Sequence, residues 1–190
     1  MAEITNHDKI YERLECSGEH IQGDSFDSCT FRDCNLPDCD LSGRDFSECL
    51  FENCNLSNIK LIETGLKEVI FKKCKLTGTD FSDCRDILFE VSFEDCILDF
   101  CIFNRNNLRK TLFSGCRINE AGFSECDLKD ALFRECDLLR TVFIQNDLSG
   151  ADFRTSVNYI IDPDINRMKG AKFSYPGVLG LLERYDIVIE

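Results

Sequence analysis

Thirteen cysteines and two histidines are the side chains best suited to metal binding, redox chemistry or nucleophilic attack in this 190-residue chain. Their spacing argues against all three. Cys34, Cys54, Cys74, Cys96, Cys116 and Cys136 recur at twenty residues, with one interval of twenty-two. Cys29, Cys39, Cys49, Cys101 and Cys126 fall between them in steps of five. A zinc knuckle needs two thiolates separated by about two to four residues. Residues five apart in a repeating fold face different ways. Residues twenty apart would stack with parallel Cβ vectors, one strand spacing or ~4.8 Å apart. A disulfide holds its Cβ atoms closer, near ~3.8 Å. The cysteines therefore read as small buried hydrophobes in a reducing compartment. Cys16 and Cys84 lie outside the regular pattern and are the expected reactive thiols. His7 and His20 are both N-terminal with no evident partner, and no phosphate loop or nucleophile motif is present. The expectation is a non-enzyme with no metal and no cofactor.

The carboxylates are the other chemical resource. Asp and Glu number 35 against 22 Lys and Arg, a formal net charge of −13. That balance argues against direct nucleic-acid binding, which needs cations on phosphates. The charge is banded: residues 24–52, 80–99 and 120–137 are acidic, 60–75 and 105–117 basic. No apolar run approaches the length of a membrane span, and the N-terminus lacks a signal-peptide pattern. A cytoplasmic protein is expected.

What must position these side chains is a repeat. Leu36, Leu56, Leu76, Leu98, Ile118 and Leu138 form a second ladder with the same single slip as the cysteines. Every fifth residue from Ile21 to Phe81, and again from Leu88 to Phe153 in a shifted register, is Ile, Leu or Phe. A period of five suits neither a helix nor one strand. It requires a chain that turns a corner every five residues and points one central side chain inward. The residue two before it shares the crowded corner and should be small, as Ala121, Ala131, Ala151, Thr64 and Thr79 are. Asp24, Arg44, Ile59 and Asn106 break that rule and predict weaker faces. Four faces make a square coil of twenty residues. About seven coils at ~4.8 Å predict a rod of about 33 Å. Two columns that keep phase across the slip indicate one continuous structure with two residues looped out within 82–88.

Units such as Cys-Asn-Leu-Ser-Asn at 54–58 and Ala-Asp-Phe-Arg-Thr at 151–155 resemble the pentapeptide-repeat family. The resemblance covers residues 19–173 and implies an all-β fold, a right-handed quadrilateral β-helix. Three regions are expected: an N-terminal cap at 1–18, the β-helix at 19–157, and a capping and dimerisation module at 158–190. In the tail, Ser174-Tyr175-Pro176 reads as the start of a short α-helix, and 186–190 as a strand. The series Asn158-Tyr159, Asp162, Asn166, Phe173-Ser174, Pro176, Leu181-Leu182 and Asp186-Ile187 resembles the C-terminal module of Qnr-type fluoroquinolone-resistance proteins. It is also similar to the immunity proteins of microcin B and albicidin producers.

That resemblance implies a homodimer through the tail, with Tyr175, Leu179, Leu182, Tyr185, Ile187, Val188 and Ile189 as candidate interface residues. It also implies a rod of duplex width that occupies the DNA groove of DNA gyrase or topoisomerase IV. Asp40, Asp45, Glu48, Asp80, Asp83 and Asp86 are the candidate contacts, with the bulge beside them. The chain departs from the Qnr pattern in having no long projecting loop. The competing expectation is a scaffold solenoid for another protein partner.

Overall fold

The computed structural model describes residues 5–15, 23–185, 187 and 188; Cys16, His20, Ile21 and Ile189 lie outside them. The chain winds as a square coil whose sides are short parallel strands. The first face carries β1 (Thr5–His7), β3 (Ser25–Asp27), β5 (Asp45–Ser47) and β7 (Gly65–Lys67). The second carries β2 (Ile10–Glu12), β4 (Thr30–Arg32), β6 (Leu50–Glu52), β8 (Val69–Lys72), β9 (Val91–Glu94), β11 (Leu112–Ser114) and β13 (Leu132–Arg134). Isolated bridges from Glu15 through Asn35, Asn55, Lys75, Ile97, Arg117 and Asp137 to Val157 form the third. The fourth holds β10 (Ile102–Asn104), β12 (Gly122–Ser124) and β14 (Val142–Ile144). Partners lie twenty residues apart, as in Phe31 opposite Phe51, and twenty-two apart across the slip, as in Phe71 opposite Phe93.

The corners explain the polar positions of the repeat. The residue two after most central side chains takes a left-handed conformation, as at Asp33, Asn53, Lys73 and Asp95 with φ of 54°, 55°, 53° and 52°. Asn and Asp tolerate this region because their short side chains bond locally. Here they also bond between coils: Asn53 Nδ2 donates to Asp33 Oδ1 at 2.6 Å.

The column two before each central residue does more than fit a tight corner. Wherever Cys, Thr, Ser or Asn stands there, its side chain can donate to the central carbonyl of the preceding coil, whereas Ala121, Ala131 and Ala151 only fit the space. Cys54 and Cys74 Sγ donate to Phe31 and Phe51 O, both at 3.3 Å. Thr64 Oγ1 donates to Leu41 O at 2.9 Å, and Ser156 Oγ to Phe133 O at 2.8 Å. Asn106 belongs to the same device, with Nδ2 to Phe81 O at 2.9 Å, but its Oδ1 is buried without a partner, which fits the weaker face expected there. Asn146 and Asn166 extend the device. Asn146 Nδ2 reaches Phe123 O at 2.9 Å while its Oδ1 accepts from Cys126 N at 2.9 Å. Asn146→Ala would leave the Cys126 N–H unpaired in the interior, at about 1–3 kcal/mol, and remove the side-chain donor to Phe123 O, at about 1 kcal/mol. The expected loss is about 2–4 kcal/mol in urea unfolding, and a loss below about 1 kcal/mol would contradict this role.

The core is a set of side-chain columns. Leu36, Leu56, Leu76, Leu98, Ile118 and Leu138 are fully buried along the third face. On the second face an unbroken ring stack runs through Tyr11, Phe31, Phe51, Phe71, Phe93, Phe113, Phe133, Phe153 and Phe173. Its eight steps make a rod of about 38 Å at the usual strand spacing. The stack is longer than the repeat implies, because residues 5–15 already form a rung and Asp152 pairs with Lys172 beyond the last regular unit. A second stack meets the first edge-on. It sits on the first face at Phe26 and Phe46 and on the fourth at Phe81, Phe103, Phe123 and Phe143. The interruption lies where the stack changes face.

The tail differs from the expected α-helix and strand. Pro176 leads into two 3-10 turns, Gly177–Leu181 and Glu183–Tyr185, while Ile187 and Val188 form no strand. Tyr159 dictates this. Its ring lies under Gly177 and its backbone under Gly180, and a Cβ at either glycine would overlap it. Ile161 N bonds Gly180 O at 3.1 Å.

Candidate protein-interaction surface

Three candidate contacts, Asp80, Asp83 and Asp86, lie at the interruption, and Arg85, absent from the sequence-based set, ties that segment to Asp45 two coils before it. Arg85 reaches back over two coils. Its Nε donates to Glu63 O at 2.7 Å, Nη1 to Asp45 Oδ1 at 2.8 Å and Nη2 to Gly43 O at 3.1 Å. Gly65 lies between the partners, where any Cβ would run into the Asp45 carboxylate. The only sequence signal was arithmetical: 45, 65 and 85 share one vertical column.

The slip itself falls between Arg85 and Val91. Arg85 N still bonds Thr64 O at the regular N-to-O offset of twenty-one, as Lys60 N bonds Cys39 O, whereas Val91 pairs with Val69 at twenty-two instead of the regular twenty. Leu88, expected as a central residue, is 66% exposed at a left-handed corner with φ of 60°. Phe89 fills the core instead, at 6% exposure. Apolar identity alone could not tell these neighbours apart.

Cys84 is not the reactive thiol expected from its irregular position. It is buried, and burial first, then Asp80, Asp83 and Asp86, push its pKa up to about 12. Cys16 lies outside the described residues. Among the described residues, no group of three or more His, Cys, Asp or Glu could hold a metal ion, and no helix is long and apolar enough to cross a membrane.

The six candidate acids divide. Asp40 and Asp80 stand at equivalent positions of the fourth face, and each accepts a bond from a backbone N–H, Ser42 at 2.9 Å and Ser82 at 2.8 Å. Asp45 is neutralised by Arg85. Asp83 and Asp86 are exposed on the loop, and Glu48 projects from a corner. Among the described residues, Glu48, Asp80, Asp83 and Asp86 have no cation within 4.0 Å. Later coils differ in part. There Arg117 grips the nearly buried Asp99 through two nitrogens at 2.8 and 2.5 Å, and Lys129 bridges Asp127 and Asp147. Four acids without a cation partner are thus Glu48 and the three at the interruption, while among the described residues Asp33, Asp38, Glu94, Asp95, Asp130, Glu135 and Asp137 extend the unneutralised charge along the rod.

At the other end, Tyr175, Leu179, Tyr185, Ile187 and Val188 are exposed, Tyr175 by 93% and Val188 by 87%, and Leu182 is half-buried. Arg184 ties the tail down by pairing with Asp162, which holds that carboxyl below its ordinary pKa. Leu181 turns inward onto the core.

Residues 45–83 match pentapeptide repeats in eight copies, and residues 86–157 match a pentapeptide repeat region; together they span more than half of the chain. The chain belongs to the pentapeptide-repeat family. The two matched segments stop on either side of Cys84 and Arg85, where the period slips. Among solved pentapeptide-repeat structures, a trypsin-treated variant of QnrB1, a plasmid-mediated fluoroquinolone resistance protein, is similar at 22% identity. It has a TM-score of 0.51 over 95% of this chain and 99% of that one. HetL, involved in heterocyst differentiation regulation in the cyanobacterium Nostoc sp. strain PCC 7120, is similar at 16% identity. Its TM-score is 0.52 over 88% of this chain and 87% of that one. At these identities the likeness is one of fold. No curated protein sequence matches the chain.

Proposed function

We propose that this pentapeptide-repeat protein is a DNA mimic that binds type II topoisomerases, gyrase or topoisomerase IV, and shields them from quinolones or related poisons. The observation that carries the reading is the band of unneutralised carboxylates, Asp80, Asp83, Asp86 and Glu48, on a straight rod of about 38 Å. A duplex presents one charge per ~1.7 Å of axis. The rod offers a sparser version of that field, weighted to one side. Complementary charge would steer its encounter with a basic DNA-binding groove. The similarity to QnrB1 along nearly its whole length supports the same reading. The exposed tail residues Tyr175, Leu179, Tyr185, Ile187 and Val188, with Leu182 beside them, would pair two copies end to end, since a closed two-fold dimer is the commonest way to cover such a patch. Ile189 belongs to the same proposed interface. The protein acts by binding, not catalysis.

The test is a gyrase supercoiling assay with ciprofloxacin, titrating the full chain. Restored supercoiling at low protein concentration is expected. Reversing Asp80, Asp83 and Asp86 to Lys should weaken gyrase binding by at least about tenfold, or ~1.4 kcal/mol. Raised salt should weaken it too. Binding that survives both changes would refute the mimicry. A second reading, a scaffold for another protein, draws on the equal fold similarity to HetL. A chain that sediments as a monomer and leaves gyrase unaffected would favour it.

A further inference from the structure

We propose that the corner beside the interruption docks an extended peptide segment of a partner protein, added as a parallel strand and anchored by an arginine. The slip affects the four faces unequally. The second, third and fourth carry their ladders straight across it, through Val69 and Val91, Lys75 and Ile97, and Asp80 and Ile102. The first does not. Its sheet ends at β7, and pairing resumes only between Asn107 and Asp127. The loop between is bonded to the coil before it, through Arg85 N to Thr64 O and Glu90 N to Leu66 O at 2.9 and 2.8 Å. Among the described residues it forms no ladder with Asn107–Arg109 on the side after it.

A groove of about 760 Å³ opens there, with Phe89, Ile70 and Leu112 in its wall. That volume lies within the range of ligand sites, and an unpaired strand edge is a template for another strand. The charge selects the occupant. Glu48, Glu68 and Glu90 line the groove from successive coils, and among the described residues none has a cation within 4.0 Å; Arg109, which pairs with Asp127, and Lys110 also line it, so the three carboxylates outnumber the one cation left unpaired. Stacked carboxylates at strand spacing repel one another. A guanidinium placed among them offers several donors in a planar fork and relieves that repulsion.

The test titrates the full-length ¹⁵N-labelled protein with capped seven-residue peptides of alternating valine and threonine. The central residue is arginine, glutamate or alanine. The arginine peptide should shift the amides of Glu90, Asn107 and Arg109, slow exchange at Asn107, and bind on the order of tenfold more tightly than the glutamate peptide. Paired Glu68→Lys and Glu90→Lys substitutions should abolish that preference. Deleting Ile87 and Leu88, which restores the twenty-residue period, should remove binding altogether. Equal binding of the three peptides, no binding, shifts elsewhere on the rod, or a preference that survives the charge reversal would each overturn the proposal. Glu68 and Glu90 are not among the proposed topoisomerase contacts, so the supercoiling assay on the same variants separates this failure from that of the gyrase reading.

Discussion

Raising the pH from 8 to 11 should unfold this protein without any denaturant. Burial pushes the Cys49, Cys84 and Cys101 thiols from 9.0 up to about 12, and Cys126 up to about 11. Between pH 9 and those values, the unfolded chain releases protons that the folded chain retains. Stability must then fall as pH rises. Each unit costs about 1.36 kcal/mol per thiol. By pH 11 the four together remove about 10 kcal/mol, comparable with the whole stability of a domain, about 5–15 kcal/mol. Urea titrations followed by circular dichroism at steps from pH 7 to 11 should give a flat midpoint to about pH 8 and a steep fall above pH 9. Cys101→Ala should reduce the slope by one proton's worth. A midpoint unchanged at pH 10.5 would mean that the thiols are not held neutral by the fold.

Truncating one ring in the middle of the rod should be the most damaging single substitution. Phe113 is fully buried, stacked on Phe93 and Phe133 at 5.2 and 4.7 Å, and edge-on to Phe103 and Phe123 at 6.3 and 6.0 Å. Phe→Ala in a core costs about 3–5 kcal/mol, the upper end applying where the surroundings cannot collapse into the cavity. Here they cannot, because backbone bonds before and after fix the coil spacing. In a quasi-one-dimensional protein a weak coil also uncouples its neighbours, so Phe113→Ala should lower the denaturant m-value as well as the midpoint. Phe100→Ala, at an exposed corner, should cost less than about 0.5 kcal/mol. Equal effects from the two substitutions would contradict the stacked core.

The same columns explain what was legible beforehand. A period of five with a slip of two specifies a square coil and its register, because one residue of error would turn every central side chain outward. The slip's position was visible only to within a few residues. Leu88 and Phe89 are adjacent and both apolar, and tertiary fit chose between them. Asn146 and Asn166 were overlooked because size was the criterion for the corner column, when a larger side chain is also accommodated if it donates to the carbonyl of the preceding coil. The Asp45–Arg85 pair spans forty residues and has no local signature. The tail misled because Leu179, Leu181, Leu182 and Tyr185 have helical spacing, while Gly177 and Gly180 are there to clear Tyr159.

The twenty-residue offset between paired strands also bears on how the molecule comes to exist. Every rung closes over a chain segment of the same modest length, however tall the rod grows. In a chain of 190 residues that corresponds to a relative contact order of about 0.1, the range of helical bundles and below that of most β proteins. An all-β protein built this way should fold quickly, from whichever coil forms first. On the ribosome it can be laid down one coil at a time, each new turn templated by the one already made.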